Sequence, residues 1–277
     1  MKLATLFLAV LIGALSLYLL LKEPSSDRVW IPEQSRMATV THATSSVTIH
    51  NVRNWTYDES SVLDAAWTDL KVDPSTITRA WFLVEPFSEF EAVGHTFLSF
   101  EFSDGTAVSF SVEARREEGE SYSATKGVFR EYELSYQWGL ERDFVTRRLV
   151  YLNHPLRLYP LELSPEAAQS LFLSLTHETN TLALSPRFYN TLTANCTNVL
   201  ATIVNRNYPG TLPYNIAWNA TGYADRYLMD QGLIAAPNSP EETMAAHDLT
   251  PHKADVAAKA TSGPKDFSAY LRTLVGT

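Results

Sequence analysis

Apolar residues run along this chain in three rhythms, and each predicts a different element. The first is unbroken. Leu3 to Leu21 holds 19 residues without a charge, flanked by Lys2 and Lys22. A helix of about 17–25 apolar residues crosses a bilayer core, so 1–22 is predicted to be a transmembrane signal anchor. A cleaved signal peptide has a shorter apolar stretch and a small-x-small site, which Lys22-Glu23-Pro24 does not offer. No Cys follows the apolar run, which excludes a lipoprotein anchor. Residues 23–46 are polar, contain two prolines and read as a linker.

The second rhythm has period two. Val47–Val52 alternates like a short strand, and Ala80–Val84 is an apolar run of strand length ended by Pro86. The clearest case is His95–Phe102, then Ser103-Asp104-Gly105, then Thr106–Glu113. The even positions carry Leu98, Phe100, Phe102, Val108, Phe110 and Val112, and are predicted to form the buried face. Cross-strand partners must share a face, so paired numbers must add to an even sum. A three-residue loop with Gly105 in the left-handed conformation meets that condition. It pairs 102 with 106 and 100 with 108, and sets His95 opposite Glu113 on the polar face. Phe129–Tyr136, Phe144–Leu152 and Arg157–Leu161 also read as strands.

The third rhythm is helical. Ser164-Pro165-Glu166 is a helix start, with Ala168, Leu171, Phe172 and Leu175 as its stripe. A second helix is predicted to open after Asn195 as N-cap, with the stripe Cys196, Val199, Leu200, Ile203 and Val204, and to end before Pro209-Gly210. Residues 211–234 are loop-rich. Residues 235–277, rich in Ala, Ser, Pro and Lys, read as a partly disordered tail. Strands followed by helices predict one α+β domain with an antiparallel sheet over 47–234.

Composition narrows the function classes. The 277 residues carry 22 Lys+Arg against 31 Asp+Glu, a net charge of −9, which argues against non-specific nucleic-acid binding. At 45% hydrophobic the chain is too apolar to be disordered as a whole. One Cys excludes an intramolecular disulfide and a Cys-rich zinc site. No metal-ligand spacing, phosphate loop, dinucleotide fingerprint or nucleophile elbow occurs, so neither a metal nor a cofactor is expected.

Export changes the meaning of the single thiol. In an oxidising compartment an unpaired Cys must be buried or used. A helix N-terminus lowers a thiol pKa, a His can take its proton, and a carboxylate can hold the ring. Cys196 with His95 and Glu113 supplies that set. The same residues also fit a buried small hydrophobe and an ordinary cross-strand polar pair. Arg115 and Arg116 fit a phosphate headgroup contact or a solvated surface. Tyr189 and Asn190 fit site lining or a loop cap. Arg142 with Glu141 and Asp143 fits a structural ion-pair cluster.

Several segments together resemble a known family. They are Arg28-Val29-Trp30, Ile49-His50-Asn51-Val52-Arg53-Asn54, Gly94-His95-Thr96-Phe97-Leu98-Ser99-Phe100, Ser111-Val112-Glu113-Ala114-Arg115-Arg116-Glu117, Tyr189-Asn190-Thr191-Leu192-Thr193, Asn195-Cys196-Thr197 and Gly222-Tyr223. They resemble the periplasmic domain of the bacterial lipoprotein N-acyltransferase Lnb. The order His then Cys is similar, at fold level, to permuted papain-like proteins of the lecithin:retinol acyltransferase and permuted NlpC types. The resemblance implies Cys196 as nucleophile and His95 as base. Glu113 as the orienting residue comes from the hairpin register instead. Asn195, Tyr189, Asn190 and Ser111 are the expected oxyanion or site-lining residues. Phospholipid and a lipoprotein amine are the implied substrates, with the protein held in the inner membrane by one span and its main domain in the periplasm. A cysteine hydrolase of the envelope and a noncatalytic binding protein on the same fold remain as alternatives.

Overall fold

The computed structural model describes residues 2–275, with the side chains at 2, 3, 12, 15 and 16 outside the description. Helix α1 (Lys2–Leu21) covers the expected anchor. Its described Leu6, Phe7, Leu20 and Leu21 are exposed. Among the described residues no helix is long and apolar enough to cross a membrane.

Among the described residues eight strands form one sheet: β1 (Thr39–His42), β2 (Val47–Tyr57), β3 (Val62–Val72), β4 (Ile77–Glu85), β5 (His95–Phe102), β6 (Ala107–Arg115), β7 (Glu133–Leu140) and β8 (Arg157–Pro160). The order is β1-β2-β7-β6-β5-β4-β8, with β3 paired to β2. Pairing is antiparallel except for β2 with β7, which run parallel. The helices that follow are α2 (Ala124–Val128), α3 (Glu141–Thr146), α4 (Pro165–Leu184), α5 (Cys196–Asn207), α6 (Ala224–Asp230), α7 (Pro240–Ala246), α8 (Lys253–Lys259) and α9 (Pro264–Leu274). The architecture is α+β around a large sheet.

The central hairpin has the expected register: Phe100 pairs with Val108, Leu98 with Phe110 and Phe97 with Ser111. Gly105 takes φ +82°, which a Cβ would strain. The even positions pack under α4 and α5, where Phe100 and Phe110 meet Phe172 and Trp138 with centroids 5.3 and 4.9 Å apart.

The odd face is not solvated as expected. Trp81, Leu83 and Phe97 form a second core with Phe144, Leu149, Val256, Phe267 and Leu271. The tail expected to be disordered folds as α7, α8 and α9; α8 and α9 cover this face, while Met244 of α7 joins the first core. The tail's composition hid two helix starts. Ser239 accepts a hydrogen bond from Glu242 N–H ahead of Pro240, and Gly263-Pro264 opens α9.

Two other expectations are corrected. The linker 23–46 is part of the fold: Trp30 is buried, β1 pairs with β2, and Gln34 accepts from Arg116 N–H through its side chain. Phe144–Leu152 is not a strand but the end of α3 continued by a π-helical stretch, Arg147–Tyr151. The segment is buried almost all round, at 143–146 and 148–150, so it carries no one-sided helical stripe. A short apolar run of that kind reads as a strand.

Candidate active site

Two segments far apart in sequence meet at the end of the sheet. The Asn195 side chain caps α5, its Oδ1 accepting from Asn198 N–H at 2.8 Å. Cys196 therefore stands at the first helical position, where the helix leaves its N–H without an intrahelical acceptor. Facing it is the start of β5. Thr96 ties the two together, its hydroxyl 3.1 Å from that of Thr197.

His95 and Cys196 line one cleft, and the charge of each acts on the other. On the other side of the ring, Nε2 lies 2.7 Å from Ser111 Oγ and 3.3 Å from Glu113 Oε1. Ser111 O–H donates to Glu113 Oε1 at 2.7 Å. With its proton given to an acceptor-only carboxylate, Ser111 can only accept from the ring. That places a proton on Nε2.

The electrostatics follow from these contacts. Burial alone would lower the His95 pKa, but the charges of Glu113 and Cys196 outweigh it and raise it to about 10. Burial alone would raise the thiol, but the His95 charge and hydrogen bond, with hydrogen bonds from Thr96, bring it below its usual value. Glu113 is also pushed up by burial, and is held well below the carboxylate range by His95, then Arg148, then Ser111. The two shifts support one another: a protonated ring lowers the thiol, and an ionised thiol raises the ring.

Behind Glu113 stands Arg148, which the sequence did not single out. Its Nη2 donates to Glu113 Oε1 at 3.1 Å and its Nε to Glu85 Oε2 at 2.8 Å. The guanidinium also lies 4.2 Å from the centroid of Phe97. Glu85 pairs with His95 across β4 and β5, and its other oxygen meets His154 Nδ1 at 2.6 Å. Register arithmetic extended by one strand would have found Glu85. Nothing local marked Arg148 or His154.

The remaining expected residues divide. Tyr189 lines the cleft, with its hydroxyl 3.3 Å from that of Tyr122. Asn190 is a turn cap, accepting from Leu192 and Thr193 N–H. Asn195 is not a free oxyanion donor, because its amide donates to the carbonyls of Thr191 and Trp218. Arg115 is not a headgroup contact: it is buried over Trp30 and donates to the carbonyls of Gln34 and Ser35. Arg116 does line the cleft. Asp143 pairs with buried Arg53 and Glu141 with Arg272, so that cluster is structural with other partners than expected.

The cleft measures about 470 Å³ and is walled by Cys196, His95, Glu113, Tyr189, Arg147 and His154 among others. Its floor depends on a close passage of two glycines. A Cβ on Gly94 would come within 2.9 Å of Gly222 Cα, and one on Gly222 would collide with the Glu91 carbonyl oxygen. Among the described residues no cluster of His, Cys, Asp or Glu could hold a metal ion.

Residues 64–219 match the family described as the Lnb N-terminal periplasmic domain. No curated protein and no solved structure matches the chain, so the papain-like likeness rests on the order of His and Cys alone.

Proposed function

The chain belongs to the Lnb N-terminal periplasmic domain family, and from that membership we propose a periplasmic thiol acyltransferase working through Cys196. The observation that carries the reading is one cleft lined by Cys196, at a helix start, and by His95 and Glu113, which Ser111 bridges. In the proposed step the thiolate attacks an ester carbonyl, and the carbon–sulfur bond forms. The ester bond breaks, and His95 gives the leaving oxygen its proton. The Cys196 N–H and the Tyr189 hydroxyl, kept protonated by burial, are the donors assigned to the oxyanion.

Phospholipid is the proposed donor and a lipoprotein amine the acceptor. An apolar cavity of about 250 Å³, walled by Thr197, Leu98, Leu200 and Leu228, supports a lipid acyl chain. The anchor is part of the same proposal. The exposed Leu6, Phe7, Leu20 and Leu21 of α1 find no cover among the described residues, and a bilayer would supply it. Lys22 pairs with Glu131 at 2.9 Å and Arg130 donates to the Leu19 carbonyl, so the end of α1 is tied to the segment just after α2, the helix whose Ala124 lines the cleft.

The charged lining of the cleft, with Glu33, Arg116 and Arg147, favours a second reading: hydrolysis of an amide or ester, with water in place of the amine. Intact-mass spectrometry tests both. The purified protein is incubated with vesicles of phosphatidylethanolamine and phosphatidylglycerol, alone and with a lipoprotein N-terminal peptide. One acyl increment on wild type and none on Cys196→Ala is the expected result. Passage of the increment to the peptide supports transfer, and its release as free acid supports hydrolysis. No increment together with no alkylation of Cys196 by iodoacetamide would overturn the site.

A further inference from the structure

The π-helical stretch Arg147–Tyr151 is followed by Asn153, whose φ of +54° turns the chain back so that His154 N–H donates to the Arg148 carbonyl at 2.9 Å. Asn tolerates this left-handed conformation better than most residues. The turn sets His154 over Glu85, with Nδ1 2.6 Å from Oε1. Its side chain is 30% exposed, lines the same cleft as Cys196, and rests against the Phe87 ring at 6.2 Å. With Nδ1 engaged, Nε2 has no partner among the described residues. Glu85 and Glu113 are bridged by the single guanidinium of Arg148. The cleft thus holds two His–carboxylate pairs: His95 with Glu113 facing the thiol, and His154 with Glu85 facing the solvent side.

We propose that the His154–Glu85 pair is a second acid–base site, which takes a proton from a primary-amine acyl acceptor. The proposal rests on the acyl-transfer reading above, and proton counting motivates it. An amine in neutral water arrives as an ammonium with three protons, and the amide it forms keeps one. As the nitrogen–carbon bond forms and the carbon–sulfur bond breaks, the sulfur leaves with the electron pair. One proton returns to His95, restoring the thiolate–imidazolium pair, and the other needs a second acceptor. His154 Nε2 receives it and passes it to water. The charged groups around His154 are Glu85 on β4, Arg148 on the π-helical stretch, Lys253 on α8 (bonded to Asn153 at 2.8 Å), and His95 and Glu113 beyond.

Stopped-flow kinetics with p-nitrophenyl octanoate as donor and glycinamide as amine separates the two half-reactions. His154→Gln is expected to load Cys196 with an octanoyl group, which also certifies its fold, while transfer to glycinamide at pH 7 slows about 100-fold. The deficit should shrink as pH rises past about 8, where an α-amine arrives with one proton fewer. Equal loss of loading and transfer, an unchanged transfer rate, or a deficit independent of pH would each overturn the proposal. A wild type that never loads overturns the acyl-transfer reading and this one with it. Loading with normal transfer in the variant overturns this one alone.

Discussion

His95 and Glu113 face one another across the β5–β6 hairpin and share one hydroxyl: Ser111 Oγ lies 2.7 Å from Nε2 of the ring and 2.7 Å from Oε1 of the carboxylate. The direct separation of ring and carboxylate is 3.3 Å. The carboxylate thus acts on the ring both through space and through an intervening donor. Removing its charge should move the thiol, not only the ring.

In Glu113→Gln the His95 pKa should fall and the Cys196 pKa should rise. Alkylation by iodoacetamide at pH 6 is expected to slow about tenfold, the equivalent of about one pKa unit, and the thiolate titration should move to higher pH. A variant that alkylates along the wild-type pH profile would remove Glu113 from the site.

Stability should fall on the acid side. Folded Glu113 titrates well below 4.5, while in the unfolded chain it takes up its proton near that value. The unfolded state therefore binds the proton first as pH drops, and the stabilisation present above about pH 4.5 is lost below it. His95 runs the other way. Its pKa is raised from 6.5 to about 10, so its contribution is complete below about 6.5 and lost as pH rises through 10. Thermal melts between pH 6 and pH 3 should fall less steeply for Glu113→Gln than for wild type. Parallel curves would contradict the assignment.

Gly222→Ala should disturb the site from a distance. The added Cβ meets the backbone of Glu91, which cannot swing aside as a side chain could, so the 91–94 loop leading into His95 must shift. A loss of about 1–3 kcal/mol is expected, with a larger drop in Cys196 alkylation than the unfolded fraction explains. Urea denaturation beside alkylation kinetics gives both numbers, and wild-type values in both would show that the glycine contact is dispensable.

Phe267→Ala tests the second core. Phe267 is fully buried on α9, against the odd face of the hairpin. Truncation should cost about 3–5 kcal/mol, read from the urea midpoint. A change under about 0.5 kcal/mol would mean that the C-terminal helices do not hold this face.

Local pattern was enough for much of this protein. Period-two alternation and an even-sum register determined the β5–β6 hairpin and set His95 beside Glu113, because side chains on a strand can point only two ways. A helix cap followed by a stripe at helical spacing determined that Cys196 opens α5. These are properties of a few adjacent residues, and few alternatives satisfy them. Tertiary structure decided the rest. Whether Cys196 meets His95 depends on α5 docking against β5, a packing choice between segments about a hundred residues apart. Arg148 and His154 reach the site only because a π-helical turn and a left-handed Asn153 redirect the chain, and no sequence period encodes either. The buried odd face depends on α8 and α9, whose Ala- and Lys-rich composition looks disordered until the sheet offers Val256, Phe267 and Leu271 a surface to cover. A short helix of that composition is marginal alone and gains its stability from packing, so its existence is settled by contact rather than by propensity.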